Sequence, residues 1–186
     1  MFFAQVSKLY LGDKMNLIWY LLFYSLLGFC GEVLYARLTR SAKRDRKCRL
    51  FFPICPVYGI GATGIALLPS AITDRPIVYF LTAVLVATAV EYLLGTFYER
   101  AWGVSFWNYD GMWGNIHGRV CLPFALLWGV LSLALLPTLH PIVQQLVAMV
   151  PNGLLLPVLL LLAVDFCLTS LVLRRSHDTN ALIWYR

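Results

Sequence analysis

Residues 77–98 read IVYFLTAVLVATAVEYLLGTFY. A helix needs about 20 mostly apolar residues to cross the roughly 30 Å hydrocarbon core of a bilayer. This run supplies them with one interruption, Glu91. A carboxylate at a helix centre costs roughly 2.5–3.5 kcal/mol on insertion scales, so such residues face a bundle interior or a water-filled path. Two more acids, Glu32 and Asp165, sit inside other apolar stretches.

Outward from this run, residues 16–38, 53–72, 119–139 and 152–173 are further candidate spans, which makes about five. The composition agrees: 60% of the 186 residues are hydrophobic and 13% charged, with a mean hydropathy of +0.74. A soluble domain averages about 45–50% apolar and about 25% charged. The expected fold is all-α, a polytopic integral membrane helical bundle forming a single transmembrane domain over residues 1–186. Residues 1–11 are too short and mixed for a secretory signal, so the first apolar run is expected to remain as a spanning helix. The second candidate span holds Pro53, Pro56, Gly59, Gly61 and Gly64 in its first half, which predicts a kinked or partly unwound segment. Residues 140–151, bracketed by Pro141 and Pro151, read as a short interfacial helix.

The formal charge of +6 does not point to nucleic acid, because of where the charge lies. Seven of the fifteen basic residues fall in residues 37–49, directly after an apolar stretch, as in a cytoplasmic loop. With five spans, that placement puts twelve basic residues on the cytoplasmic side and leaves Lys8, Lys14 and Arg75 on the other. The N-terminus is therefore expected outside and the C-terminus in the cytoplasm, in the cytoplasmic (inner) membrane. The five cysteines form no CxxC pair and read as small hydrophobes, which disfavours a disulfide framework or a zinc site.

Under this topology, spans one, three and five run in the same direction. Glu32, Glu91 and Asp165 then lie six to eight residues before their span ends, within about 3 Å of one depth at 1.5 Å per residue. Glu91, Gly95 and Glu99 follow i, i+4, i+8 spacing, so they stack on one helix face as a stripe leading to the surface. This stripe reads either as a polar pathway or as interfacial anchoring. Arg119 offers a bidentate counter-charge for a carboxylate, a grip for an anionic ligand, or an anchor at the boundary. Residues 102–118 carry Trp102, Phe106, Trp107, Tyr109 and Trp113 among Asn108, Asp110, Asn115 and His117. That density suits an interfacial belt or the wall of a ligand site. No metal site is expected, since His117 has no partner at ligand spacing, and no nucleotide, serine-hydrolase or zinc-protease motif occurs.

The run Gly28-Phe-Cys-Gly-Glu32-Val-Leu-Tyr35, then Pro53-Ile-Cys-Pro56-Val-Tyr58-Gly59-Ile-Gly61-Ala62, then Glu91-Tyr92 with Glu99, resembles the CmpB-like family. So do Phe106-Trp107-Asn108-Tyr109 and Asn115-Ile-His-Gly118-Arg119-Val-Cys121-Leu. Members of that family are described as type IV ABC-transporter permeases. The match runs in order over roughly residues 16–139. Its aromatic loop departs from the family's Trp-Trp-Asp-Tyr-Ser, since here Phe106-Trp107-Asn108-Tyr109 is followed by Asp110.

The resemblance implies a membrane subunit of a transport system, with Glu32, Tyr58, Glu91, Glu99, Asn115 and Arg119 on motif positions. Trp107 and Asp165 complete the candidate pathway set. Such a subunit would bind a polar or cationic solute at its carboxylates and needs no cofactor of its own. A separate ATPase or another membrane subunit would dock on the cytoplasmic loops. Two alternatives remain open at this stage: a membrane-embedded enzyme acting on a lipid or lipid-linked substrate with a Glu as general base, and a scaffold pairing with a partner helix.

Overall fold

The computed structural model describes residues 14–40 and 47–183. Residues 1–11, the middle of the basic stretch with Lys43, Arg44 and Arg46, and Arg186 lie outside the described residues. Among the described residues seven α-helices follow in order: α1 (Lys14–Leu38), α2 (Pro56–Ala66), α3 (Ser70–Thr73), α4 (Pro76–Trp102), α5 (Leu122–Ala134), α6 (His140–Ala148) and α7 (Leu155–Ser176). A π turn, Leu135–Leu139, joins α5 to α6, and the described residues contain no strand beyond one isolated bridge, Ile116 to Val120. The protein is an all-α membrane bundle.

Among the described residues, four helical segments are long and apolar enough to cross a membrane: Asn16–Leu38, Pro76–Trp102, Leu122–Ala148 and Leu155–Ser176. Their outward faces carry large exposed apolar residues, among them Leu34, Leu85, Leu93, Leu131 and Leu156. A face of that kind is at home against lipid tails, where no water demands polar groups.

Two of the expected spans differ. The helix within residues 53–72 is α2, with 11 residues, so it covers only about 16 Å at 1.5 Å per residue. Prolines set its start. Pro56 occupies the first turn, where a missing N–H is harmless, and Cys55 before it is extended at φ −117°. The glycines do not unwind α2; they let it approach α1. A Cβ on Gly28 would overlap the Tyr58 ring, and one on Gly59 would overlap Ser25 Oγ and the Leu21 carbonyl. The fourth span also runs longer than expected. Residues 140–148 do not lie apart as an interfacial helix but continue α5 through the π turn, whose wider winding passes Pro137 and Pro141 without ending the helix.

Helix α4 is the centre of the packing, meeting α2, α5 and α7. It starts with Pro76 in its first turn and stops at Gly103, whose left-handed φ of 69° lets its N–H close on the Glu99 carbonyl. Tyr98, Trp102, Val104, Leu173 and Leu182 form one buried cluster where α4 and α7 meet. Tyr20, Tyr24, Val143 and Val147 form a second between α1 and α6.

Candidate functional site

The segment 103–121 folds into a compact irregular loop, and its polar residues explain how. Asn108 Oδ1 accepts the Asp110 N–H at 2.9 Å, and Asn115 Oδ1 accepts the Gly118 N–H at 2.6 Å. The Tyr109 N–H reaches the Gly118 carbonyl at 2.8 Å. Gly118 has φ +69°, and a Cβ there would press on Asn108 Oδ1 at 2.7 Å, so the turn requires glycine on both counts. Trp107 Nε1 donates to the Arg119 carbonyl at 2.8 Å and ties the two arms of the loop together. Asn115 and Trp107 are thus braces within the loop.

What the loop presents lands on the stripe of α4. Tyr109 donates its phenol proton to Glu91 Oε1 at 2.7 Å. Arg119 donates to Glu99 Oε2 through Nη2 at 2.5 Å and Nε at 3.0 Å, and to the Tyr92 hydroxyl through Nη1 at 3.2 Å. Its guanidinium also lies over the Tyr92 ring, 5.2 Å from the centroid. Gly95, between the two acids, leaves room for the Arg119 stem; a Cβ would sit 3.3 Å from Arg119 Cγ. The hydrogen bonds that Arg119 donates to Glu99 raise its pKa above the ordinary value. Burial pushes the Tyr109 phenol upward, and the negative charge of Glu91 adds to it.

Glu32 joins this cluster from α1. Its Oε1 accepts a short hydrogen bond from the Tyr58 hydroxyl on α2. The Tyr58 ring meets Trp128 edge-on at 5.5 Å, Trp128 lies 6.2 Å from Phe124, and Phe124 stacks on Tyr109 at 4.9 Å. The Glu32 charge is itself felt at Tyr109. Two carboxylates and two tyrosines therefore meet where α1, α2, α4 and the loop converge, walled by α5 aromatics. Glu91 is only 5% exposed, and its Oε2 has no hydrogen-bond partner among the described residues. The Trp128 indole lies beside this carboxylate.

Asp165 lies elsewhere. Its Oδ1 accepts the Phe51 N–H at 2.8 Å, and Thr169, one turn along α7, accepts the Leu50 N–H at 3.0 Å. Arg49 rests on Phe166 of the same helix, 4.8 Å from the ring centroid. Asp165 therefore anchors the segment entering α2, and among the described residues no hydrogen bond joins it to Glu32 or Glu91. Depth along the span put the three acids together; azimuth about the helices separates one of them.

Several partners carried no sequence signal of their own. Phe124 and Trp128 are ordinary apolar residues of a span. His140, read as interfacial, is buried and lies 2.6 Å from the Tyr24 hydroxyl and 2.9 Å from Gln144 Nε2. Cys48 and Cys55 meet sulfur to sulfur at 3.6 Å. Tyr109→Phe is expected to lower stability by about 1.5–3 kcal/mol, the net worth of a hydrogen bond to a carboxylate. Thermal unfolding in detergent against wild type measures it.

A multi-pass helical membrane protein, with a buried carboxylate cluster closed over by its own loop, is the class these observations define. The chain belongs to the CmpB family, described as "Putative ABC-transporter type IV", whose family model matches residues 19–172. It is thus a membrane protein of an ABC-type transport system, and the match runs through α7 to take in Asp165. Neither a curated protein nor a solved structure matches the chain.

Proposed function

We propose that this chain is the membrane subunit that receives a polar or cationic solute at the Glu32–Glu91 cluster. The observation that carries this reading is the Glu91 Oε2 atom, buried and without a hydrogen-bond partner among the described residues, in the cluster formed with Glu32, Tyr58 and Tyr109; the likewise unpartnered Asp165 Oδ2 stands outside that cluster. An unsatisfied carboxylate oxygen in a dry interior costs several kcal/mol, and a bound cation or proton-donating solute would satisfy it. Arg119 does not serve, because two of its nitrogens bond Glu99 and a third bonds Tyr92. The stripe gives a route: Glu91 is 5% exposed, while the Glu99 side chain farther along the same face is 34% exposed.

The chain carries no nucleotide motif, so the proposed arrangement includes a separate ATPase or a further membrane subunit. The arginine-rich segment 37–49 and the loop 103–121 are its proposed docking surfaces. Leu50 bonds Thr169 toward the end of α7 while Ile65 packs on Tyr79 at the start of α4, so the chain from 47 to 66 is taken as a fifth crossing; the positive-inside bias then supports an N-terminus outside, a cytoplasmic C-terminus and residence in the inner membrane.

The test is uptake by membrane vesicles holding the complete system, using labelled rubidium, methylammonium, choline and a neutral amino acid as probes. Wild type should accumulate at least one of them, and Glu91→Gln and Glu32→Gln should each reduce that uptake about tenfold, equivalent to about 1.4 kcal/mol of lost interaction. Uptake unchanged in both variants would overturn the proposal.

A further inference from the structure

An apolar groove of about 420 Å³ runs between the end of α4 and the end of α7. Its volume falls within the roughly 300–1,000 Å³ range of ligand sites. On α7, Cys167, Ser170, Leu171 and Arg174 line it at i, i+3, i+4 and i+7 spacing; on α4, Phe97 and Ala101 face them. The walls are hydrocarbon and ring, and the polar group at the end is a guanidinium. Arg174 Nε donates to the Ala101 carbonyl at 2.9 Å, which fixes the head across the groove end and bridges the two helices. Arg100 and Arg175, adjacent in sequence to two lining residues, are exposed like Arg174. Among the described residues the one carboxylate–arginine pair is Glu99 with Arg119, so none of these three arginines is neutralised.

We propose that this groove binds an anionic phospholipid, with an acyl chain along Phe97, Phe166 and Leu171 and the phosphate at Arg174. The geometry has the two halves such a ligand needs. The outward faces of α4 and α7 meet lipid tails, so a chain enters laterally, without leaving hydrocarbon. The phosphate then meets a cation already oriented by the Ala101 carbonyl, with two more positive charges nearby. Basic pockets between membrane helices at a basic end recognise anionic headgroups in this way, each arginine contributing about 1 kcal/mol near the surface. A zwitterionic headgroup gains far less from the same site, because its own cation is repelled. The groove is separate from the Glu32–Glu91 cluster, so the inference does not rest on the proposed transport site.

Native mass spectrometry of the full chain, purified in mild detergent and supplied with equal phosphatidylglycerol and phosphatidylcholine, tests this. Wild type should retain phosphatidylglycerol at least fivefold over phosphatidylcholine. Arg174→Gln should cut that preference about fivefold, the equivalent of about 1 kcal/mol. Leu171→Trp, which fills the groove and keeps the charge, should reduce retention of both lipids. It should also slow maleimide labelling of Cys167, which lines the groove, as bound phosphatidylglycerol does in wild type. Arg75→Gln, an exposed arginine at the opposite end of α4, should behave as wild type. Equal retention of the two lipids, or wild-type retention in both groove variants, overturns the proposal. So does a lipid-free dimer in which Cys167 is protected, since the groove would then be filled by a second copy.

Discussion

Gly59→Ala should lose about 2–3 kcal/mol of stability, whereas Gly61→Ala, two residues along the same helix, should be neutral or up to about 1 kcal/mol more stable. Both positions are buried glycines of α2 with ordinary helical backbone. The difference lies in what stands opposite. A Cβ on Gly59 would overlap Ser25 Oγ and the backbone carbonyl of Leu21, and backbone cannot rotate out of the way. A Cβ on Gly61 meets nothing within 4 Å among the described residues and brings the entropic gain of removing a helical glycine. Small residues set how closely membrane helices approach, because van der Waals contact replaces the missing hydrophobic drive. Denaturant unfolding of the two variants in one detergent measures the pair. Equal losses would show that α1 and α2 do not meet at Gly59. The consequence reaches the site, since the same approach seats Tyr58 over Gly28 and brings its hydroxyl to Glu32.

Asp165→Ala should cost about 2–3 kcal/mol, and Asp165→Asn less than half of that. Asp165 is 1% exposed and accepts the Phe51 N–H, so alanine removes a hydrogen bond from a backbone donor to a buried carboxylate. Asparagine keeps an acceptor at that place. If Asp165 instead belonged to the solute site, asparagine would stop uptake as fully as alanine while leaving stability near wild type. Paired unfolding and uptake measurements therefore separate an anchor from a ligand. The expected result is that Asp165→Asn transports nearly normally, in contrast to Glu91→Gln.

Much of the site was legible in the linear chain, for a physical reason. Glu32 and Glu91 stand out because each is costly in its apolar surroundings. The Glu91–Gly95–Glu99 stripe follows from helical periodicity, and Arg119 is a fixed charge beside a span end. Their partners were not legible. Nothing in 102–118 says that Tyr109, among five aromatics, reaches Glu91, or that Asn115 and Trp107 turn inward to brace the loop. That outcome depends on left-handed turns at Gly111, Gly114, His117 and Gly118, which fold the segment back upon α4. The helix within the second expected span is only 11 residues long, because hydropathy sums over Pro53, Pro56 and Pro69, while Pro56 fixes where the helix starts and Pro69 follows its end.

Sequence alone determined that this chain lives in a membrane, that its crossings are helices and that three of its acids are expensive. Transfer into hydrocarbon is close to a residue-by-residue sum, and an isolated helix obeys a fixed period, so both are readable in one dimension. Only the tertiary structure decided that Glu32 and Glu91 share a cluster while Asp165 holds the entrance of α2, and that Arg119 closes on Glu99. Those pairings depend on the rotation of each helix about its axis and on close approach at Gly28, Gly59 and Gly95. Rotation and approach are properties of two packed surfaces together, and no single segment contains them.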